Sequence, residues 1–226
     1  MNEPKRIAIY GGTFDPVHSG HLEIGKRVCR LFEIDEFLYL PARVAPHKVG
    51  QESASAFDRY AMLALATQNE PRLSISRFEL DGPGRQYTVD TLQHFRQLYG
   101  EAVDLFFVMG ADSWTELTTW REWQRLPALA KIVVVTRPGR DVSSGGALEL
   151  ATLVEDVRGH KSVNLGDDRP RIYLTDAVEL DVSSTLVRQA TCADDEKLKQ
   201  LVPAPVAEYI RKYRLYRKTN EAKFKC

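Results

Sequence analysis

Two histidines, His18 and His21, close the run Gly11-Gly12-Thr13-Phe14-Asp15-Pro16-Val17-His18-Ser19-Gly20-His21. An apolar stretch, Ile7-Ala8-Ile9-Tyr10, precedes it and an amphipathic stretch, Leu22-Glu23-Ile24-Gly25-Lys26-Arg27-Val28, follows. The order reads as strand, glycine turn, polar loop, helix. A helix N-terminus presents free N–H groups and a partial positive charge, and so favours phosphate. Imidazoles at that end can donate hydrogen bonds to an oxygen whose charge grows in a transition state. The chemistry indicated is therefore phosphate chemistry. The segment lacks the G-x-G-x-x-G dinucleotide fingerprint and has no lysine placed as in the G-x-x-x-x-G-K-[ST] phosphate loop. The histidines and the helix end must then do the work. No cysteine or acidic residue stands at ligand spacing from the histidines, which argues against zinc.

Positioning such a loop takes a strand before it and a helix after it, and that pattern recurs along the chain. Apolar runs at residues 7–10, 36–40, 73–80, 103–109, 131–135 and 171–174 read as strands. Several are continuous rather than alternating, as in a parallel sheet buried on both faces. Helical patterns at 21–32, 56–67, 88–98, 122–130, 184–192 and 203–213 lie between and after them. The alternation predicts an α/β fold: a doubly wound, mostly parallel sheet with helices on both faces. In such sheets ligands bind beyond the carboxyl ends of the strands. The Gly11–His21 run, Gly110-Ala111-Asp112 and Arg137-Pro138-Gly139 all fall there. Residues 139–170 are irregular and read as an insertion with one short helix near 147–157. Residues 1–216 are expected to form one domain and 217–226 a charged tail.

The chain has 226 residues, 43% of them hydrophobic, and 31 basic residues balance 31 acidic ones. A neutral balance disfavours a broad grip on nucleic acid or an anionic membrane, so neither is expected as a partner. The three cysteines, Cys29, Cys192 and Cys226, lie far apart and suit reduced thiols. No signal peptide and no apolar run long enough to cross a bilayer is present, so a cytoplasmic location is expected. The sequence leaves the oligomeric state open.

A second segment, Val182-Ser183-Ser184-Thr185-Leu186-Val187-Arg188, reads as a capped helix start with an arginine one turn onward. Together the two segments resemble the paired signatures of the nucleotidyltransferase superfamily: T/H-x-G-H near the start and I-S-S-T-x-x-R near the end. Within it the chain is most similar to the bacterial nicotinate mononucleotide adenylyltransferases. Pro41-Ala42-Arg43-Val44-Ala45-Pro46-His47-Lys48 resembles their P-x-x-x-P-H-K loop. Gln86-Tyr87-Thr88-Val89-Asp90-Thr91-Leu92 resembles their S-Y-T-x-x-T-L helix start. Gly110-Ala111-Asp112-Ser113 with Thr119-Trp120, and Arg137-Pro138-Gly139, match further segments.

The resemblance implies a Rossmann-like nucleotidyltransferase that joins ATP to nicotinate mononucleotide and releases pyrophosphate. It implies His18, His21 and Arg188 as the catalytic groups. ATP would meet Gly11, Gly12, Thr13, Phe14, His18, His21, Lys48, Gly110, Asp112, Arg137, Ser183, Ser184, Thr185 and Arg188. Nicotinate mononucleotide would meet Tyr87, Thr88, Asp112, Trp120 and Arg121, with the indole of Trp120 stacking on the pyridine ring. Trp114 and Trp123 are expected to pack in the core. Mg2+ would travel with the triphosphate, without a dedicated cage of side chains. The attacking phosphate oxygen is ionised at neutral pH, so positioning and charge stabilisation suffice. The alternatives are a phosphopantetheine adenylyltransferase, which shares both end motifs, and a non-catalytic nucleotide sensor. A tRNA-charging synthetase would need a K-M-S-K-S-like loop, which is missing.

Overall fold

The structure is a computed structural model that describes residues 4–43, 53–83, 86–136, 148–165, 171–176, 182–193 and 195–216. Its strands are β1 (Arg6–Gly12), β2 (Glu36–Pro41), β3 (Leu73–Ile75), β4 (Asp104–Gly110), β5 (Lys131–Thr136), β6 (Val154–Asp156) and β7 (Ile172–Asp176). They form one sheet in the order β3-β2-β1-β4-β5-β7-β6. Every pairing is parallel. Ile7, Ala8 and Ile9 are fully buried, which a strand covered on both faces requires.

Side chains alternate between the faces and so build two cores. Ala8, Tyr10, Phe37 and Tyr39 join one, beneath α1 (Ser19–Leu31), α2 (Ala56–Thr67), α7 (Ser184–Ala193), α8 (Asp195–Leu201) and α9 (Ala204–Lys212). Ile7, Ile9, Phe107 and Met109 join the other, beneath α4 (Thr88–Tyr99), α5 (Ala111–Thr115) and α6 (Leu126–Leu129). The doubly wound arrangement places both signature segments, at the starts of α1 and α7, on the same face. Trp114 and Trp123 are buried in the second core, as expected of packing residues.

β1 lies between β2 and β4, so the winding reverses between β1 and β4. The crevice at this reversal is where doubly wound sheets bind ligands. Both strands end in glycine. A Cβ at Gly110 would meet nothing within 4 Å, and one at Gly11 only the Phe107 ring at 3.8 Å. The crevice is thus open at Gly110 and Gly11, whereas at Gly12, the last residue of β1, the Phe14 ring fills the space.

Three sequence expectations are corrected. Residues 78–80 do not extend the third strand but form a short helix, α3 (Phe78–Asp81), whose Phe78 ring stacks on His94 with centroids 4.0 Å apart. The helix expected over 122–130 is confined to α6, after a 3-10 turn at Trp123–Arg125. Glu122 takes a left-handed φ of 50°, and the Pro127 ring would clash with a carbonyl four residues back in a continuous helix. The short helix expected near 147–157 is a 3-10 stretch, Leu148–Leu153, followed by the edge strand β6. That strand has only three residues, too few to show a period in sequence. Among the described residues no helix is long and apolar enough to cross a membrane.

Candidate active site

His18 is the N-cap of α1, with extended backbone. Its N–H donates to Nδ1 of His21 at 3.2 Å. A neutral imidazole that accepts at Nδ1 carries its proton on Nε2, which makes Nε2 the donor atom of His21. The two rings stack with centroids 3.6 Å apart and planes 21° apart. The buried Tyr39 hydroxyl donates to the His21 carbonyl at 3.0 Å, and the Phe14 ring stands edge-on to the His21 ring at 5.0 Å. The first turn of α1 contains no acidic residue, so nothing there offsets the positive end of the helix. Phe14 has a φ of 50° and its side chain is buried among Tyr10, His21 and Tyr39. It can offer a ligand only its backbone. Gly12 makes room for that ring, because a Cβ there would lie 2.9 Å from it.

The second signature docks against the first. Ser183 caps α7, its Oγ accepting the Leu186 N–H at 3.2 Å. The Ser184 hydroxyl donates to the Pro16 carbonyl at 3.0 Å. Arg188 donates from Nη1 to the Asp15 carbonyl at 2.6 Å and from Nη2 to Thr185 Oγ1 at 3.1 Å. A guanidinium has five N–H groups, so donors remain for an anion alongside these contacts. Gly20 sits in the seam between the segments, where a Cβ would approach Val182 Cγ1 to 2.8 Å and the His18 ring to 3.2 Å. Only glycine lets α1 and the start of α7 close to this distance.

Beneath the loop lies a pair that the sequence reading gave no role. Asp15 is 1% exposed and Arg59, on α2, 2% exposed. Arg59 donates to the carbonyls of Thr13 at 2.7 Å, Ala42 at 2.7 Å and Arg43 at 3.2 Å. Asp15 accepts from Ser53 Oγ at 2.9 Å, the Ala54 N–H at 3.1 Å and the Tyr216 hydroxyl at 2.7 Å. Burial lowers the Arg59 pKa from its ordinary value, and the Asp15 carboxylate opposes that shift. The sequence did contain a signal. Arg59 precedes Met62, Leu63 and Ala66 by three, four and seven residues, which puts a cation on the apolar face of α2.

The residues expected at the acceptor lie toward the other face of the sheet. Gly110 ends β4 and Asp112 stands exposed in the first turn of α5. Trp120 is half-buried, edge-on to Phe107, the same ring that faces Gly11. Thr88 begins α4 and Tyr87 is its N-cap. The Arg121 guanidinium lies 5.0 Å from the centre of the Tyr87 ring and donates to Asp90 at 3.4 Å. The Tyr87-Thr88 and Trp120-Arg121 segments, separate in sequence, are thus joined through Arg121. Below α4, Thr91 donates to the Glu79 carboxylate at 3.0 Å, and burial raises the Glu79 pKa. Lys48 and Arg137 lie outside the described residues.

A parallel doubly wound sheet with two polar helix starts, one of them carrying Arg188, meeting near its reversal point is the arrangement of a nucleotidyltransferase. The cytidylyltransferase-like family model matches residues 9–190. A probable nicotinate-nucleotide adenylyltransferase of a Thermoanaerobacter species is 35% identical over 221 residues, 98% of this chain and 99% of its own. One from Thermus thermophilus is 38% identical over 94% of this chain and all of its own. The chain belongs to the nicotinate-nucleotide adenylyltransferase family. The fold also matches the Plasmodium falciparum nicotinic acid mononucleotide adenylyltransferase complexed with NaAD, with a TM-score of 0.69 and 21% identity over 94% of this chain and 97% of the other.

Proposed function

We propose that this protein transfers AMP from ATP to nicotinate mononucleotide, giving nicotinate adenine dinucleotide and pyrophosphate. The observation that carries this reading is the docking of the two signature segments. Arg188 and Ser184 hold the Asp15 and Pro16 carbonyls, so both helix starts face one space at the strand ends. Family membership supplies the acceptor.

The acceptor's phosphate oxygen attacks the α-phosphorus of ATP. The bond from that phosphorus to the oxygen bridging to the β-phosphate breaks, and pyrophosphate leaves with the negative charge. The nucleophile is already ionised, so no side chain has to remove a proton. His18 and His21 stabilise charge on the non-bridging α-phosphate oxygens, with His21 donating from Nε2. Thr13 and the backbone of Gly11, Gly12 and Phe14 line the triphosphate path. Ser183, Thr185, Arg188 and the backbone N–H of Ser184, at the start of α7, hold the β- and γ-phosphates as their charge grows. Gly110 and Asp112 line the nucleotide crevice, with Lys48 and Arg137 as further cations. Tyr87, Thr88, Trp120 and Arg121 receive the acceptor, Trp120 by stacking on the pyridine and the Thr88 and Arg121 N–H groups by binding its carboxylate. Among the described residues no three His, Cys, Asp or Glu side chains converge as a metal cage. Mg2+ enters as the counter-ion of the substrate triphosphate.

The test is pyrophosphate release from MgATP with three acceptors: nicotinate mononucleotide, nicotinamide mononucleotide and phosphopantetheine. The highest kcat/KM is expected with nicotinate mononucleotide. Turnover of phosphopantetheine alone, or MgATP binding without turnover of any acceptor, overturns the reading.

A further inference from the structure

The C-terminal turn reaches back into the nucleotide loop. After α9 the chain reverses in a left-handed cap: the Arg214 N–H donates to the Arg211 carbonyl at 3.2 Å and the Leu215 N–H to the Ile210 carbonyl at 3.0 Å. Arg214 occupies the left-handed position, with a φ of 53°, where glycine is the usual residue. Tyr216 has a φ of 62°, so a second side chain adopts this disfavoured region within three residues. The reversal delivers the Tyr216 hydroxyl to Asp15 Oδ1 at 2.7 Å. Burial and the Asp15 carboxylate both push the Tyr216 pKa upward, so the hydroxyl remains a donor throughout the working pH range.

Asp15 connects this turn to the reaction machinery. Its carboxylate accepts from Tyr216, while its backbone carbonyl, in the same residue, is the seat of Arg188 Nη1. The next carbonyl, of Pro16, is the seat of Ser184. Arg59 holds the Thr13 carbonyl two residues earlier. Orientation of the Asp15 peptide therefore sets where the guanidinium fork of Arg188 points. We propose that Tyr216 is a positioning residue for ATP: its hydroxyl fixes Asp15, and through the Asp15 and Pro16 carbonyls it fixes Arg188 and Ser184. The acceptor segments at Tyr87-Thr88 and Trp120-Arg121 lie toward the other face of the sheet, where Trp120 packs, while Tyr216 packs against the core beneath α1, α2 and α9. The effect is thus selective for the nucleotide. This inference rests on the adenylyl-transfer reading and refines it.

Tyr216→Phe removes the hydroxyl alone, leaving the ring and the Ser53 and Ala54 contacts to Asp15. The matched control is Tyr209→Phe, which deletes another hydroxyl–carboxylate bond, from α9 to Asp58 on α2 at 2.9 Å. MgATP affinity is measured by calorimetry without acceptor, alongside KM for both substrates and thermal midpoints. Expected for Tyr216→Phe is an about five- to tenfold weaker MgATP affinity, a part of the roughly 10- to 100-fold that a hydrogen bond to a charged group is worth, because its loss reaches ATP only through Arg188 and Ser184. KM for ATP rises in step, while KM for the acceptor stays at the wild-type value. Tyr209→Phe binds MgATP as the wild type does. Unchanged MgATP affinity in Tyr216→Phe overturns the inference. So does an equal rise in both KM values with a lowered midpoint, or the same loss of ATP affinity in Tyr209→Phe. If the wild type binds MgATP but turns over no acceptor, the adenylyl-transfer reading fails. The ratio of variant to wild-type MgATP affinity then decides the positioning role by itself.

Discussion

Gly20→Ala sets helix propensity against the docking of the two signature segments. Gly20 is the second residue of α1, where alanine is favoured over glycine by up to about 1 kcal/mol in a helix interior. Local propensity alone therefore forecasts a stabilised protein. The tertiary structure forecasts a defective enzyme. The added Cβ would lie 2.8 Å from Val182 Cγ1 and 3.2 Å from His18 Cε1 and Nδ1, against about 3.4 Å for an ordinary contact. Relief takes a displacement of roughly 0.6 Å between α1 and the start of α7, or a turn of the His18 ring away from His21. Displacements near 1 Å at a reacting centre cost about a hundredfold in rate, so a kcat/KM loss of about 10- to 100-fold is expected. Overpacking of about 1–3 kcal/mol and the propensity gain act in opposite directions, which leaves stability within about 2 kcal/mol of wild type. Pyrophosphate release gives kcat and KM for MgATP, and urea unfolding gives the stability. The double variant Gly20→Ala/Val182→Ala removes the struck methyl and should recover most of the rate. Wild-type kcat/KM in Gly20→Ala, or a double variant no better than the single one, would refute the seam as the source of the effect.

Three further outcomes are expected. His18→Ala and His21→Ala should each lower kcat by about 10²–10³, the usual result of losing one preorganised donor to transition-state charge; near-normal turnover in both would remove the histidines from the mechanism. Gly25→Ala should destabilise by about 1–3 kcal/mol, because a Cβ there would lie 2.6 Å from the Tyr39 hydroxyl that holds the His21 carbonyl; adding Tyr39→Phe removes the struck oxygen, and denaturant midpoints that fail to recover would contradict this cause. Burial pushes the Cys29 thiol up to about 11 from an ordinary value near 9, so its thiolate fraction at neutral pH falls about a hundredfold. Alkylation followed by peptide mass spectrometry should find Cys29 protected in the native state. Since the folded pKa is the higher one, this contribution to stability is complete below pH 9 and lost as pH rises toward 11. Cys29→Ala should flatten that alkaline decline.

Much of the fold is legible in order and period. The unalternating runs at 7–10, 103–109 and 131–135 announce strands covered on both faces, and they occupy the centre of the sheet. The errors fall where elements are short or local rules conflict. Pro127 and the left-handed Glu122 cut a helical pattern to one turn, and β6 is visible only through its pairing with β7. The candidate site divides in the same way. His18, His21, Ser184 and Arg188 stand out because their residue types and spacing are unusual in a helix start.

The sequence by itself determined the class of chemistry: glycines after a strand, paired imidazoles and a capped helix carrying an arginine are local features, each encoded within a few residues. It also carried the family. Only the tertiary structure decided what holds those features in register. Arg188 on the Asp15 carbonyl and Ser184 on the Pro16 carbonyl join positions from opposite ends of the chain. The Asp15–Arg59 pair and the Tyr216 hydroxyl beneath them come from the loop, α2 and the C-terminal turn. No local period links such residues, because their contacts arise only when α2, α7 and α9 pack on the same face of the sheet as α1.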